Sequence, residues 1–268
     1  MKALLTATLA LASFSLQAEV LKITDLEVEN VLVYGSVEVQ IDQGEITELL
    51  IRGDEDVLEM QPFDTRGGTL VLGQSDQHRG KSFSSVKYML TIPDMDELRL
   101  SGSGDVFVKP FETDEILINV DGSGDIKVFS LVAKEARARV RGSGDIKIAE
   151  LIASKVEFLV SGSGDVAIGE MTADAIEATI SGSGDISVEE TTGKASSIEI
   201  NIAGGGEVDL SEQAVSLAEI NIVGSGDARV GEVKELEVNI IGSGDIYYAG
   251  DPEIDSNVLG SGDLNRQR

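Results

Sequence analysis

The tetrapeptide Gly102-Ser103-Gly104-Asp105 decides the fold, because it returns at regular intervals through the rest of the chain. Gly204-Gly205-Gly206-Glu207 is a variant of it, and the full motif recurs with its acidic residue at Asp125, Asp145, Asp165, Asp185, Asp227, Asp245 and Asp263. Consecutive acidic residues lie 20 residues apart in most repeats, and 22 or 18 in the others. A period of this length predicts stacked units of equivalent structure.

Between these markers, apolar and polar residues alternate with the same phase in every repeat. The apolar positions of 116–120 correspond to those of 156–160 two repeats later. Such alternation predicts strands with one buried face. A unit of two short strands cannot bury that face alone, but copies stacked about 4.8 Å apart can. We therefore predict an all-β fold, a parallel β-helix or β-solenoid with coils of about 20 residues. An antiparallel meander is the alternative.

The chain divides into three predicted parts. Lys2, the apolar run 3–16 and the small residue Ala18 are typical of a signal peptide spanning 1–18, although a buried N-terminal helix is an alternative. Residues 19–100 lack the marker but alternate like strands, and we predict a β segment that caps or flanks the repeats. Residues 101–268 form the predicted solenoid. No later segment is apolar enough to span a bilayer, so we expect a periplasmic or secreted protein.

Composition excludes several functions. The 48 acidic and 21 basic residues give a net charge of −27, which argues against binding to nucleic acids or to anionic membranes. The chain has no cysteine, and its one histidine, His78, lies in a polar stretch that is typical of a loop. A two-histidine metal site is therefore impossible, and we predict no catalytic residues and no enzyme activity. A polysaccharide-active enzyme is an alternative, because pairs of carboxylates are available for glycoside hydrolysis. It is less favoured, because acidic residues are too abundant to identify such a pair and the chain has no tryptophan.

The acidic residues of the markers are predicted to stack in one column. At a spacing of about 4.8 Å, neighbouring carboxylates repel by about 0.9 kcal/mol in water, so something must compensate. Hydrogen bonds from the turns and contact with water would do so, with no cofactor required. The alternative is calcium binding, for which the candidate ligands are Asp105, Asp125, Asp145, Asp165, Asp185, Asp227 and Asp245. The marker differs from the nonapeptide of calcium-binding β-rolls, because Asp follows the second glycine directly.

Two further columns have predicted roles. The residue before the first marker glycine is polar in early repeats but becomes Val223, Ile241 and Leu259 in later ones. It faces outward, so we expect cover by the N-terminal half of the chain, or an interface with a second copy or an envelope or extracellular partner. A second column contains Asn201, Asn221, Asn239 and Asn257, which we predict to form a hydrogen-bonded ladder.

The chain resembles the bacterial head GIN domain family over roughly residues 30–263. The resemblance rests on Val37-Glu38-Val39-Gln40-Ile41-Asp42-Gln43-Gly44, on the segment 90–105 that begins Leu90-Thr91-Ile92-Pro93, and on the repeated markers. It implies a right-handed, β-helix-like fold at or outside the cell envelope, and no established activity. The function expected from the sequence is an exported, non-enzymatic scaffold or binding and adhesion module. The alternative is an acidic solenoid that binds calcium.

Overall fold

The computed structural model describes residues 19–24, 26–73 and 83–267, and it is nearly all β structure. The strands form a solenoid of about eight turns, which confirms the predicted fold class. The described part contains one short helix, α1 (Glu55–Leu58). The predicted signal peptide and His78 lie outside the described residues.

The first part of the chain forms seven strands. They are β1 (Glu19–Thr24), β2 (Asn30–Gly35), β3 (Glu38–Gln43), β4 (Glu48–Gly53), β5 (Phe63–Arg66), β6 (Thr69–Gly73) and β7 (Lys87–Ile92). Strands β2 and β3 form one coil, and β6 and β7 lie parallel to them on one side. Antiparallel pairing of β4 with β7, of β1 with β4 and of β5 with β6 completes this end of the molecule.

The marker repeats form the remaining strands. They are β8 (Glu97–Gly102), β9 (Asp105–Val108), β10 (Phe111–Glu112), β11 (Glu115–Gly122), β12 (Asp125–Gly142), β13 (Ile146–Gly162), β14 (Val166–Gly182) and β15 (Ile186–Thr191). There follow β16 (Lys194–Gly204), β17 (Glu207–Leu210), β18 (Ala214–Gly224), β19 (Asp227–Gly242), β20 (Ile246–Ala249), β21 (Glu253–Gly260) and β22 (Leu264–Arg266). The pairings between successive coils of this part are parallel.

The two parts of the chain share one continuous stack of coils. Strands β2 and β3 pair with β8 and β9 on the side opposite β6 and β7. Strand β8 crosses the boundary that we predicted at residue 100, and its Gly102 lies in register with Gly35 of β2. The coil of residues 30–43 therefore has the geometry of a marker coil without the marker sequence.

The 20-residue period of the sequence equals the separation between paired residues of adjacent coils. Ile126 pairs with Ile146, and Gly142 pairs with Gly162. The step of 22 residues arises because Thr192 and Gly193 lie outside the paired stretches of β15 and β16. Changes in coil length are therefore absorbed at a bend, and the strands keep their phase, as a buried face requires.

The core consists of the apolar columns that alternation predicted. The inward residues of β11, β13 and β14 are buried, and so are the four residues six positions after the marker acid, Phe111, Leu131, Leu151 and Met171. One column alternates in size, since fully buried Phe158 pairs with Ala138 on one side and Ala178 on the other. The large ring fills the space that its small neighbours leave.

The marker glycines allow adjacent coils to approach closely. A Cβ atom on Gly162, whose φ is +139°, would lie 2.3 Å from the carbonyl oxygen of Gly142. A Cβ atom on Gly164 would lie 2.0 Å from the carbonyl oxygen of Gly144. Both distances are far below van der Waals contact, so the backbones stack at this corner without side chains between them.

Candidate functional site

The marker carboxylates form a hydrogen-bonded ladder along one corner of the solenoid. The Oδ1 atom of Asp145 accepts a hydrogen bond from the backbone N–H of Asp165 at 3.1 Å, and Oδ1 of Asp165 accepts one from Asp185 at 2.9 Å. The same bond links Asp125 to Asp145, Asp185 to Glu207, Asp227 to Asp245 and Asp245 to Asp263. Each such carboxylate therefore holds the turn of the next coil.

Basic side chains offset part of the charge in this column. Nζ of Lys147 lies 3.1 Å from Oδ2 of Asp145, and this hydrogen bond raises the pKa of the lysine. Arg229 forms an ion pair with Glu207, and its guanidinium lies 5.0 Å from the ring centre of Tyr247. Desolvation raises the pKa of the Asp185 carboxyl above its ordinary value. Hydrogen bonds and ion pairs thus oppose the repulsion between stacked carboxylates.

The column holds its carboxylates in a line. Among the described residues, no three acidic or histidine side chains are grouped closely enough to hold a metal ion. Calcium binding by Asp105, Asp125, Asp145, Asp165, Asp185, Asp227 and Asp245 stays a prediction. What the column visibly does is order the turns.

Two substitutions of Asp165 distinguish the contribution of the ladder hydrogen bond to stability from that of the negative charge. We expect Asp165→Ala to lower the free energy of unfolding by about 1–2 kcal/mol, because the N–H of Asp185 loses its acceptor. Asp165→Asn keeps an acceptor and relieves repulsion from two neighbours, so its stability should equal or exceed that of the wild type. Urea unfolding at neutral pH measures both. Equal losses in the two variants would show that the ladder depends on the negative charge.

The predicted outward apolar column is exposed. Val223, Ile241 and Leu259 have exposed fractions of 55 %, 51 % and 68 %. The expectation that the N-terminal half covers them is wrong, because β1 to β7 lie at the opposite end of the stack. The alternative, an interface with a second copy or a partner, stays a prediction. In the asparagine column, Nδ2 of Asn221 donates to Oδ1 of Asn201 at 3.1 Å, and Asn257 donates to Asn239 at 2.9 Å.

A groove beside the acidic ladder has the properties of a binding site. It has a volume of about 640 Å³ and crosses four successive marker coils, from 107–109 to 167–169. The coils on either side contribute one residue each, Gln40 and Glu189. Small residues form its floor, namely Ala149, Ala167 and Gly169. Two aromatic residues line the same groove, with exposed fractions of 39 % for Phe107 and 68 % for Phe129. Solvated faces seldom combine aromatic rings with a smooth apolar floor, so this surface is suited to a ligand.

The shape of the groove comes from a bend that recurs in each coil. Ala149 and Gly169 fall between paired residues of β13 and β14, at a step where two successive residues face outward. A Cβ atom on Gly169 would lie 2.6 Å from the carbonyl oxygen of Ala149, so this position of the floor has no room for a side chain. Val128, Ile148 and Ile168 are buried just beneath it. The bend and the missing side chain together make the surface concave.

Three lysines line the groove within a strongly acidic protein. Lys109 pairs with Asp42 at 2.7 Å, and Lys127 approaches Asp125 at 3.9 Å. The Lys127 ammonium also lies 5.5 Å from the centre of the Phe107 ring, as in a cation–π contact. Lys147 is held by Asp145 as described above. Exposed ion pairs of this kind contribute little energy, so the ammonium groups can turn toward an anion in the groove.

The sequence of the chain matches a protein family. A family profile described as "Putative auto-transporter adhesin, head GIN domain" matches residues 28–191 and 150–252. The chain belongs to this family. A search of curated proteins finds no match.

Solved structures share the head GIN domain fold over nearly its whole length. A "Putative lipid binding protein" from Parabacteroides distasonis is 25 % identical, with a TM-score of 0.65 over 93 % of this chain and 96 % of that chain. A "putative adhesin" from the same species is 18 % identical, with a TM-score of 0.69 over 94 % and 97 %. Another from Parabacteroides merdae is 19 % identical, with a TM-score of 0.67 over the same shares. The names refer to adhesion and lipid binding.

Two features of this head GIN domain were missed in the sequence. The groove is one, although Phe129, Ala149 and Gly169 stand at an outward step where polar residues are expected. A second acidic column is the other, and it stacks Glu157, Glu177, Glu199, Glu219, Glu237 and Asp255. Both follow the same repeat spacing, so comparison of every outward position across repeats would have found the acidic column and the unusual residues of the groove.

Proposed function

We propose that the protein is a non-enzymatic binding module of the bacterial cell envelope, and that its groove binds an amphiphile with an apolar chain and an anionic group. The observation that carries this proposal is the exposure of Phe107 and Phe129 beside a floor of small residues and a row of lysines. Among the described residues, no helix is long and apolar enough to cross a membrane. Export rests on the predicted signal peptide.

The apolar part of the ligand is argued from the floor and the rings. An acyl chain lying on Ala149, Ala167 and Gly169 would cover the Phe129 ring, which lies one coil before Ala149. Full burial of an exposed phenylalanine contributes roughly 1.5–3 kcal/mol. The volume of about 640 Å³ lies within the usual range for small-molecule sites, roughly 300–1,000 Å³.

The anionic part is argued from the position of positive charge. The protein carries a net charge of −27, so most of its surface repels anions. Lys127 and Lys147 lie on adjacent coils in register, and both line the groove. At the far end, Glu189 would repel a carboxylate or a phosphate. We therefore place the anionic group beside the lysines and the apolar chain toward Ala167 and Gly169.

The names of similar proteins support a binding role for the groove. The Parabacteroides distasonis structure at 25 % identity is named "Putative lipid binding protein". The family is described as one of adhesins, and an adhesin presents binding surfaces outside the cell. A groove on the outer face of a rigid stack suits either role, because sites on regular strands keep their geometry.

Binding of cis-parinaric acid, a fluorescent long-chain carboxylate, tests the proposal. We expect saturable binding to the wild type, and a loss of at least tenfold in Ala149→Glu, which places a charged side chain on the floor. Ser211→Glu is the matched control, since Ser211 stands at the same step of a coil outside the groove. Lys147→Gln should weaken binding several-fold for the carboxylate but leave binding of the corresponding alcohol unchanged.

Two results would overturn the proposal. One is the absence of saturable binding to the wild type. The other is equal binding by Ala149→Glu and Ser211→Glu, which would place the ligand elsewhere. Circular dichroism of each variant establishes that the fold is retained, and it should be, because Ala149 is exposed.

A further inference from the structure

The two ends of the solenoid differ in how they close. At the N-terminal end, strand β4 lies antiparallel across the stack and packs near α1, and Leu49, Ile51 and Leu58 are buried. At the other end, β21 pairs with β19 along one edge. Within the described part of the chain, no strand pairs with its outer edge. All eight residues of β21 are exposed.

The open edge exposes the end of the hydrophobic core. Ile254 continues the column of buried Leu236, and Val258 continues the column of buried Ile240. Their own exposed fractions are 40 % and 39 %. An exposed strand with an apolar inner face is a template for pairing with another strand.

We propose that β21 pairs antiparallel with β21 of a second copy of this chain, forming a dimer in which the C-terminal ends of two solenoids meet. A two-fold axis perpendicular to the stack would then pass through Ser256. Such an interface is closed, because each copy contributes the same strand. Head-to-tail growth is disfavoured, because the N-terminal end presents antiparallel strands and a helix.

The sequence of β21 selects this register. Directly opposite residues of an antiparallel pair share a face, so Ile254 would contact Val258 of the second copy, and Ser256 would face Ser256. On the outer face, Asp255 would lie opposite Asn257, whose amide can donate a hydrogen bond to the carboxylate. A register centred on Asp255 sets two carboxylates against each other. A register centred on Asn257 places Ile254 opposite Gly260, which has no side chain to pack.

The net charge of the two copies makes the proposed dimer sensitive to salt. Each copy carries a net charge of −27, so the two solenoids repel at long range. Salt screens that repulsion, since the Debye length falls from roughly 30 Å at 0.01 M to roughly 8 Å at 0.15 M. Dimerisation should therefore strengthen as salt is added, the opposite of an interface held by ion pairs.

Sedimentation velocity of the purified protein across a wide concentration range tests the state of association. We expect a monomer–dimer equilibrium that shifts toward dimer with added salt. The double substitution Ile254→Lys and Val258→Lys should give a monomer at all concentrations. Ile152→Lys is the matched control, because Ile152 has the same 40 % exposure in the middle of the solenoid, and it should dimerise like the wild type.

Cysteine cross-linking tests the register, since the chain has no cysteine of its own. Ser256→Cys should form a disulfide-linked dimer under mild oxidation. Asn257→Cys should cross-link far more slowly, because its two copies would lie diagonally about 7–8 Å apart, beyond the Cβ separation of about 3.5–4.5 Å that a disulfide needs. A wild type that is monomeric throughout, or faster cross-linking through position 257, would overturn the proposal.

Discussion

Gly164→Ala is expected to lower the free energy of unfolding by about 3 kcal/mol or more, a large effect for a single added methyl group. The new Cβ atom would lie 2.0 Å from the carbonyl oxygen of Gly144 and 3.0 Å from its carbonyl carbon. Both are backbone atoms of a stacked coil, so relief requires the coils to separate. Separation would lengthen hydrogen bonds and loosen core contacts on both sides of the corner.

The reason for choosing Gly164 is that its φ lies outside the left-handed region, so the expected loss is purely steric. Gly193→Ala provides the opposite case. Gly193 has a φ of +90°, and nothing lies within 4 Å of the Cβ position, so only backbone strain of about 1–2 kcal/mol is expected. Urea unfolding of both variants gives the comparison. A smaller loss for Gly164→Ala than for Gly193→Ala would mean that the coils are not closely stacked at the markers.

The marker repeat allowed the solenoid to be predicted because it fixes two quantities at once. Its spacing gives the pairing register, and the phase of alternation around it gives the buried face. Ile126 pairs with Ile146 and Val140 with Val160, as equal spacing requires. Markers that recur in phase from coil to coil left few alternative ways to stack. The columns of Asp and Asn followed from the same register.

The first hundred residues were less predictable for a physical reason. Without the marker, alternation indicates strands but not which strands are neighbours. In the structure, β6 and β7 lie outside β2 and β3, although they come later in the chain. This order depends on long-range packing. A buried tyrosine illustrates it, since the Tyr88 hydroxyl donates to the carbonyl of Pro62 at 2.7 Å, across 26 residues of sequence.

The groove was missed because a binding surface is a property of several columns together. Phe129 alone is an exposed aromatic residue, and Gly169 alone is a glycine in a strand. They become a site only when the stacking of coils places them in one column, with Ala149 between them. The sequence shows neither the bend nor its direction. Reading outward positions across repeats would identify the unusual residues, but the concavity needs coordinates.

Phe158→Ala is expected to destabilise the solenoid by about 3–5 kcal/mol, the usual loss for removing a buried aromatic ring. Phe158 has no exposed surface, and its neighbours in the column are Ala138 and Ala178. Alanines at the same position of three successive coils would leave a cavity. The stack cannot close this cavity, because the marker corners hold the coils at a fixed spacing. The cost should therefore lie toward the upper end of that range.

Phe129→Ala is the matched control, because it removes the same ring from the outward face, where 68 % of the residue is exposed. Its effect on stability should stay within about 0.5 kcal/mol, as for most surface substitutions. Urea unfolding followed by circular dichroism measures both variants. If Phe158→Ala cost as little as Phe129→Ala, the coils would have to move together to fill the cavity. That movement would contradict the rigid corner on which the expected loss for Gly164→Ala rests, so the two experiments test the same property of the stack from opposite directions.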